Sequence, residues 1–280
     1  MFISFTTTQK ERLIELSADE EIFEMKFEND KERNDFFAAA EIEYVRMNKN
    51  RINDLLNKKH IPDTLIIQDA LGKWLMEEES YTQVITPTII RSSALDKMTI
   101  TSNHDLSKQV FWLDSKKCLR PMLAPNLYVV MKELRRISKK PVKIFEAGSC
   151  FRKESQGAQH MNEFTMLNFV ELASVENGKQ MERLEHMARS AMKAVNIDNY
   201  ELEKEASTVY GESLDVVVDG IEVASGSFGP HFLDSNWGVF DTWVGMGFGI
   251  ERLALVKNNY KTIKRIGKSI TFIDGVPLNI

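Results

Sequence analysis

Arg152 and Glu154 stand two positions apart at the end of an apolar run, and Phe164 opens the next one. The guanidinium is a planar fork of donors suited to phosphate oxygens, the carboxylate can accept from an exocyclic amine, and the phenyl ring gives a flat face for a base. A surface Arg/Glu pair on a hairpin is the plainer reading of the same residues. A second motif, Gly245-Met246-Gly247-Phe248-Gly249-Ile250-Glu251-Arg252, sets glycines at a strand-to-helix junction, where backbone can approach a ligand closely, with Arg252 on the first helical turn. The GxGxG spacing resembles a dinucleotide fingerprint. It lacks the surrounding βαβ unit and the acidic residue about 20 positions later, and the chain has no GxxxxGK[ST] phosphate loop.

Ala124, Leu127, Tyr128 and Met131 fall at i, i+3, i+4 and i+7, one stripe of a helix. Such a stripe is ordinarily core. Asn168 and Val170 share a face of the strand FTMLNFV, and an amide in so apolar a run needs a partner. Glu222 and Ser225 are three apart in a strand, which places them on opposite faces unless a bulge intervenes; the spacing predicts one near Gly226.

The elements that must hold these residues are legible in outline. Residues 8 to 60 lack Gly and Pro and space Leu13, Ile14, Phe23 and Phe27 as helices on a periphery. Pro62, Asp63 and Thr64 open a helix whose apolar face runs from Leu65 to Leu75. Gln83 to Ile90 reads as a strand that Pro87 confines to an edge or interface. Gln109 to Leu113 reads as a strand, and Leu127 to Ile137 as a helix. Val142 to Glu154 and Glu163 to Leu172 form a long hairpin, and residues 178 to 195 a helix. The pair Asp219-Gly220 joins Leu214–Val218 to Ile221–Ala224 as a tight hairpin, and a last strand leads through the glycines into a helix ending at Lys257. Helices first and hairpins after predict an α+β fold, an antiparallel sheet flanked by helices. The domains expected are a helical region at 1–60 that contacts RNA and a catalytic domain at 61–280.

In combination, the stretches LRPMLAPNLY, FRKESQGAQHMNEFTMLN, VYGESLDV and WVGMGFGIERL resemble the class II aminoacyl-tRNA synthetases, and among them the pyrrolysine-specific branch. The resemblance implies the class II catalytic fold, with ATP bent over the sheet. It puts Arg152 on the α-phosphate, Arg252 and Phe164 on either side of adenine, Glu154 on the adenine amine, and His160 and Met161 in the loop near the nucleotide. Glu222 and Ser225 are implied as ligands of ATP and Mg2+, with Arg152, Arg252 and Glu222 the catalytic set. For the amino acid, it implies a wall of Ala124, Leu127, Tyr128 and Met131, with Asn168 meeting a substrate carbonyl. Val170, Ser227 and Trp243 complete the pocket and Tyr210 reaches over it as a cap. The reaction implied is activation of L-pyrrolysine by ATP, with transfer to the amber-decoding tRNA(Pyl). A synthetase-like ligase for a phenylalanine-like amino acid and an inactive RNA-binding paralogue are the competing readings.

The chain has 280 residues, 36 basic and 41 acidic, for a net charge of -5. An acidic balance argues against a surface that grips nucleic acid everywhere. The charge is uneven, however. Residues 46–60, 132–153 and 257–268 carry +4, +6 and +5, against -20 over the rest, which suits local contact with a folded RNA by shape and phosphate. Two cysteines and five histidines form no zinc spacing, and no apolar stretch approaches a membrane span, so a cytoplasmic protein is expected. The remaining partners implied are a second copy of the chain, docked through the Pro87 region, and a separate small tRNA-binding subunit supplied in trans.

Overall fold

A computed structural model describes residues 2–153, 161–207, 211–260 and 262–280. The chain divides into two units, Asp63–Lys268 and Met1–Pro62 with Ser269–Ile280.

The larger unit is built on a seven-stranded sheet. Its helices are α3 (Asp63–Glu77), α4 (Ser92–Lys97), α5 (Asp105–Gln109), α6 (Ala124–Ser138), α7 (Gln180–Ala194), α8 (Asp234–Trp237) and α9 (Ile250–Lys257). Its strands are β1 (Thr82–Gln83), β2 (Ile89–Arg91), β3 (Lys117–Leu119), β4 (Val142–Phe151), β5 (Glu163–Leu172), β6 (Glu201–Ser207), β7 (Gly211–Val218), β8 (Ile221–Gly229) and β9 (Trp243–Gly249). The sheet order is β1-β4-β5-β9-β8-β7-β6, antiparallel throughout except where β1 runs parallel to β4 at the edge. The predicted α+β sheet flanked by helices is therefore present.

Alternation along β5 sorts the two faces. Leu167 and Phe169 point into a core with Leu71 and Trp74 of α3, Leu184 and Ala188 of α7, and Leu253 of α9. Val170 and Leu172 point the other way, toward Leu127, Tyr128 and Met131 of α6 and Trp237 of α8. Each large apolar side chain so buried contributes about 1.5–3 kcal/mol. One face is thus closed by three helices and the other only partly, by α6 and α8.

The Asp-Gly hairpin forms as predicted: Val218 pairs with Ile221, and Asp219 and Gly220 take φ of 49° and 75°, which favours such a pair. Two strand expectations need correction. Gln83–Ile90 is not one strand: β1 ends at Gln83 and β2 begins at Ile89 in a separate two-stranded sheet with β3. Between them Thr86 turns into a buried polar cluster. Gln109–Leu113 is not a strand either. His104 accepts from the Leu106 amide and Asp105 opens α5, so this stretch is a short helix and then a lone bridge from Trp112 to Cys118.

The polar cluster beside Pro87 is an ion pair, Arg120 to Glu146 at 2.7 Å, with side chains 3% and 1% exposed. Glu146 also accepts from the Thr86 amide at 3.1 Å and the Thr86 hydroxyl at 2.6 Å. Arg120 donates through Nε to the Ser149 carbonyl and through Nη1 to the Thr86 carbonyl. Asn126 of α6 donates to the Thr86 hydroxyl and the Pro87 carbonyl. Gly148 is required here, since a Cβ would lie 2.2 Å from the guanidinium.

In the smaller unit, α1 (Thr7–Glu15) starts at a capping box of Thr6 and Gln9, and α2 (Asp30–Asn57) is capped by Asn29. Phe5, Leu13, Ala18 and Phe27 form its core. Leu13 is buried in a helix as expected, whereas Phe27 lies outside the helices and pairs with Ile3 in a bridge. The hairpin β10 (Phe272–Ile273) and β11 (Val276–Pro277) belongs to this unit, and Asp274 at its turn contacts His60. Among the described residues no helix is long and apolar enough to cross a membrane.

Replacing Arg120 by Met strands the Glu146 carboxyl group in the interior. We expect a loss of about 3–5 kcal/mol in urea unfolding; a loss under about 1 kcal/mol, the scale of a surface pair, contradicts a buried pair of this kind.

Candidate active site

The half-open face of the sheet carries two adjoining cavities. The first, with about 520 Å³ of empty space, lies between α6 and the strands β5, β8 and β9, and is lined by Ala124, Leu127, Tyr128, Met131, Asn168, Val170, Ser227 and Trp243. Every residue predicted for the amino acid pocket lines it except Tyr210, which lies outside the described residues. The second, about 960 Å³, is lined by Arg152, Met161, Phe164, Glu222, Ser225 and Arg252, the residues predicted for the nucleotide. Glu154 and His160 lie outside the described residues. Ala124, Asn168, Ser225 and Gly247 line both cavities, so the two open on one another there.

The glycine-rich strand is the floor. Gly245, Gly247 and Gly249 alternate with buried Val244, Met246 and Phe248, so all three present bare backbone to the cavities. None has positive φ, and the requirement is for space. A Cβ on Gly247 would lie 2.8 Å from the Asn168 amide. This refines the sequence reading: the glycines stand in the last strand itself and clear a path along it.

Glu222 and Ser225 do share a face, and the bulge that allows it lies three residues before Gly226. Val216 pairs with Ala224 and Val217 with Glu222, leaving Val223 as the extra residue. Val223 and Ala224 are both buried, and Glu222 and Ser225 both face outward into the second cavity. Ser225 donates to Asp215 of β7 at 2.6 Å. Burial raises the Glu222 carboxyl above its usual range, partly offset by Arg252 and reinforced by the charge of Asp215. The Glu222 side chain is 51% exposed toward the cavity, and its carboxyl oxygens and the Ser225 hydroxyl are hard donors of the kind that suit Mg2+, an ion that takes its other ligands from phosphate and water.

Arg152 and Arg252 each have partners within the chain at the rim of the second cavity. The Arg152 guanidinium lies 5.2 Å from the centre of the Phe164 ring and donates through Nε to the Pro121 carbonyl. Arg252 donates to the Glu222 carbonyl at 2.9 Å and lies 3.5 Å from its carboxyl group.

Asn168 is the clearest unfinished contact, since its Oδ1 is buried with no hydrogen-bond partner. An orphaned acceptor of this kind costs about 1–3 kcal/mol. It faces the junction of the two cavities, where a bound molecule that brings a donor would satisfy it.

The model of the family described as tRNA synthetases class II core domain (F) matches residues 59–275. Among solved structures, the crystal structure of pyrrolysyl-tRNA synthetase from Desulfitobacterium hafniense superposes with a TM-score of 0.89 at 48% identity, covering 99% of both chains. A second structure of a pyrrolysyl-tRNA synthetase from the same organism gives 0.87 at 46% identity, over 99% of this chain and 96% of that one. The chain belongs to the class II tRNA synthetases.

As a class II synthetase, it uses residues at its site that sequence reasoning passed over. Glu251, next to Arg252 in the glycine motif, is 2% exposed, and both of its carboxyl oxygens accept from the Thr165 amide at 2.9 Å. It takes up the strand N–H left where β9 becomes α9, and its burial raises its own pKa against that bond. Its place beside Arg252 was the available signal. Met166, two residues before Asn168 on the same strand face, could have been found by alternation. Ile263 lines the nucleotide cavity from a short turn with no pattern to announce it.

Replacing Asn168 by Ala removes the orphaned acceptor and the contact together. Stability is expected to hold or rise in thermal unfolding, while the KM for the amino acid in pyrophosphate exchange rises about tenfold or more and the KM for ATP stays put. A fall in stability with unchanged KM would place Asn168 in the core instead of the site.

Proposed function

We propose that the chain activates L-pyrrolysine with ATP, forming an aminoacyl-adenylate and pyrophosphate, and transfers the amino acid to tRNA(Pyl) with release of AMP. The observation that carries this is the pair of cavities meeting at Asn168, Ser225 and Gly247. One is walled by the apolar side chains of Leu127, Tyr128, Met131 and Trp243; the other is lined by two arginines, two glutamates and Phe164. The similarity to the Desulfitobacterium hafniense enzymes over the full chain supports the same substrate.

Adenylation needs no general base, because a carboxylate is already a nucleophile for phosphorus. The oxygen of the amino acid attacks the α-phosphorus at the junction of the cavities, and the bond to pyrophosphate breaks. Positioning and charge neutralisation carry the step. In this reading Arg152, held at Nε by Pro121, presents its remaining donors to the α-phosphate, where charge builds in the transition state. Arg252 and Phe164 clasp the adenine. Asn168 orients the amide of the substrate side chain, and Glu222 and Ser225 supply oxygens for Mg2+. Bound there, the ion neutralises phosphate charge. Glu154, His160 and Tyr210 belong to the proposal by resemblance alone.

The partners proposed are tRNA(Pyl), a second copy of the chain and a separate tRNA-binding subunit. Ile85, two residues before Pro87, is 90% exposed, an apolar side chain that suits contact with a second copy through the Pro87 region. For the RNA, the segment 257–268 is a basic cluster that reaches the nucleotide cavity through Ile263. Two of its lysines are engaged, Lys257 with the Val195 carbonyl and Lys268 with Glu163 and Ser149. Lys264 and Arg265 directly follow Ile263, which lines the cavity.

Exchange of labelled pyrophosphate into ATP that depends on pyrrolysine and Mg2+ tests the reaction. Arg152→Ala should lower it by about 10²–10³-fold. Exchange supported by phenylalanine and not by pyrrolysine would favour the other ligase reading, and no exchange with any amino acid would overturn both. Charge removal at Lys264 and Arg265 should weaken tRNA binding and reduce the salt slope by roughly 0.7–0.9 for each phosphate that is no longer neutralised; an unchanged slope moves the RNA-binding surface elsewhere.

A further inference from the structure

Two aromatic walls of the apolar cavity, Tyr128 and Trp243, come from different elements, α6 and β9, yet both are tied to one carboxyl group. Asp234, at the start of α8, is 2% exposed. Its Oδ1 accepts from the Tyr128 hydroxyl at 2.9 Å. Its Oδ2 accepts from the Trp243 indole N–H at 2.8 Å and from the His231 amide at 2.6 Å. Three residues on, Trp237 stacks on the Tyr128 ring at 5.1 Å and 12°, while Trp243 meets that ring edge-on at 5.8 Å and 79°. Asp234 itself does not line the cavity.

Space around this carboxyl group is fully used. A Cβ on Gly229 would lie 1.9 Å from the Trp243 nitrogen and 2.5 Å from Oδ2. Trp243 therefore packs against Gly229 of β8 with no room to shift toward it, and the two rings cannot move apart while the shared acceptor holds both. The shape of the cavity at its aromatic end is set from behind.

We infer that Asp234 is a positioning residue for amino acid selection, fixing Tyr128 and Trp243 and with them the aromatic end of the cavity. This deepens the reading of that cavity as the amino acid site and rests on it. The chemistry predicts which substitutions matter. The indole and the His231 amide only donate, so they need an oxygen at the Oδ2 position. The Tyr128 hydroxyl can donate or accept. Asparagine can therefore keep all three hydrogen bonds, its oxygen toward Trp243 and His231 and its amide donating to Tyr128. Alanine keeps none.

The test compares wild type, Asp234→Asn and Asp234→Ala in pyrophosphate exchange over a panel of amino acids whose side chains are shorter than, equal to and bulkier than pyrrolysine. In the Ala variant the KM for pyrrolysine should rise roughly tenfold, as when a binding group is removed, and the preference over the other sizes should narrow, with the KM for ATP within about twofold of wild type. The Asn variant should restore both KM and preference. Asp234→Ser, which keeps a hydroxyl oxygen too short to serve both rings, gives the same direction should the Ala variant fail to fold, and its effect should shrink in a Tyr128→Phe background because the two residues share one hydrogen bond. Equal loss of turnover for every substrate with unchanged KM values, or an Asn variant as unselective as Ala, overturns the inference. A wild-type protein that activates no amino acid of the panel instead overturns the assignment of the cavity.

Discussion

The buried pair of Arg120 and Glu146 is the constraint on which the site's geometry depends. Two charges with 3% and 1% exposure are tolerable only when their remaining hydrogen-bonding capacity is filled, and here the filling comes from the segments that build the cavities. Thr86 gives both an amide and a hydroxyl to Glu146, which pins the turn before Pro87. Asn126 then ties that turn to α6 between Ala124 and Leu127, two wall residues of the apolar cavity. On the other side, the Arg120 carbonyl accepts from the Phe151 amide and the next carbonyl, of Pro121, accepts from Arg152. A single desolvated ion pair thereby fixes the helix that walls one cavity and the arginine that reaches into the other. Polar specificity is the reason to keep it, since an apolar pair would pack as well but would leave the turn, the helix and the arginine without a common reference.

Much of this was legible in the sequence, for identifiable reasons. Alternation along β5 and the 3.6-residue stripe on α6 each report one face, so the residues that line the apolar cavity were grouped before the fold was known; that they receive an amino acid came from the resemblance. The Asp-Gly hairpin and the glycine motif report local backbone requirements that no distant contact overrides. Strand β6 was missed because Glu201, Glu203, Lys204 and Glu205 hide any apolar alternation, and those charges are what an edge strand carries to keep it from pairing further. The run around Pro87 was misread as one strand because Thr86 leaves the ladder for Glu146, a partner 60 residues away. Asp234 gave no signal at all, since its three donors come from separate elements.

The site also shows where the fold accepts local cost. Asn168 keeps an unpartnered oxygen, and Glu222 is held above its usual pKa by burial. In both cases the fold leaves unfinished electrostatics facing the cavities, and a ligand completes them. The opposite holds behind the apolar wall, where Asp234 is supplied with three donors from the chain. The contrast separates groups that recognise a substrate from groups that hold the recognisers in place.

The bulge at Val223 is what lets one strand serve both cavities. Without it, Glu222 and Ser225 would lie on opposite faces, and only one could reach the nucleotide. With the extra residue, Glu222, Ser225 and Ser227 all face the half-open side of β8, the first toward the phosphate-sized cavity, the second at the junction, the third in the apolar cavity. On β9 next to it, Gly245, Gly247 and Gly249 leave bare backbone on the same face beyond Trp243. One strand thus supplies polar ligands along the line where the two substrates must meet, and its neighbour supplies clearance. An in-line attack needs both: oxygens placed along the path of the phosphate and a floor low enough for the carboxylate and the α-phosphorus to come within contact.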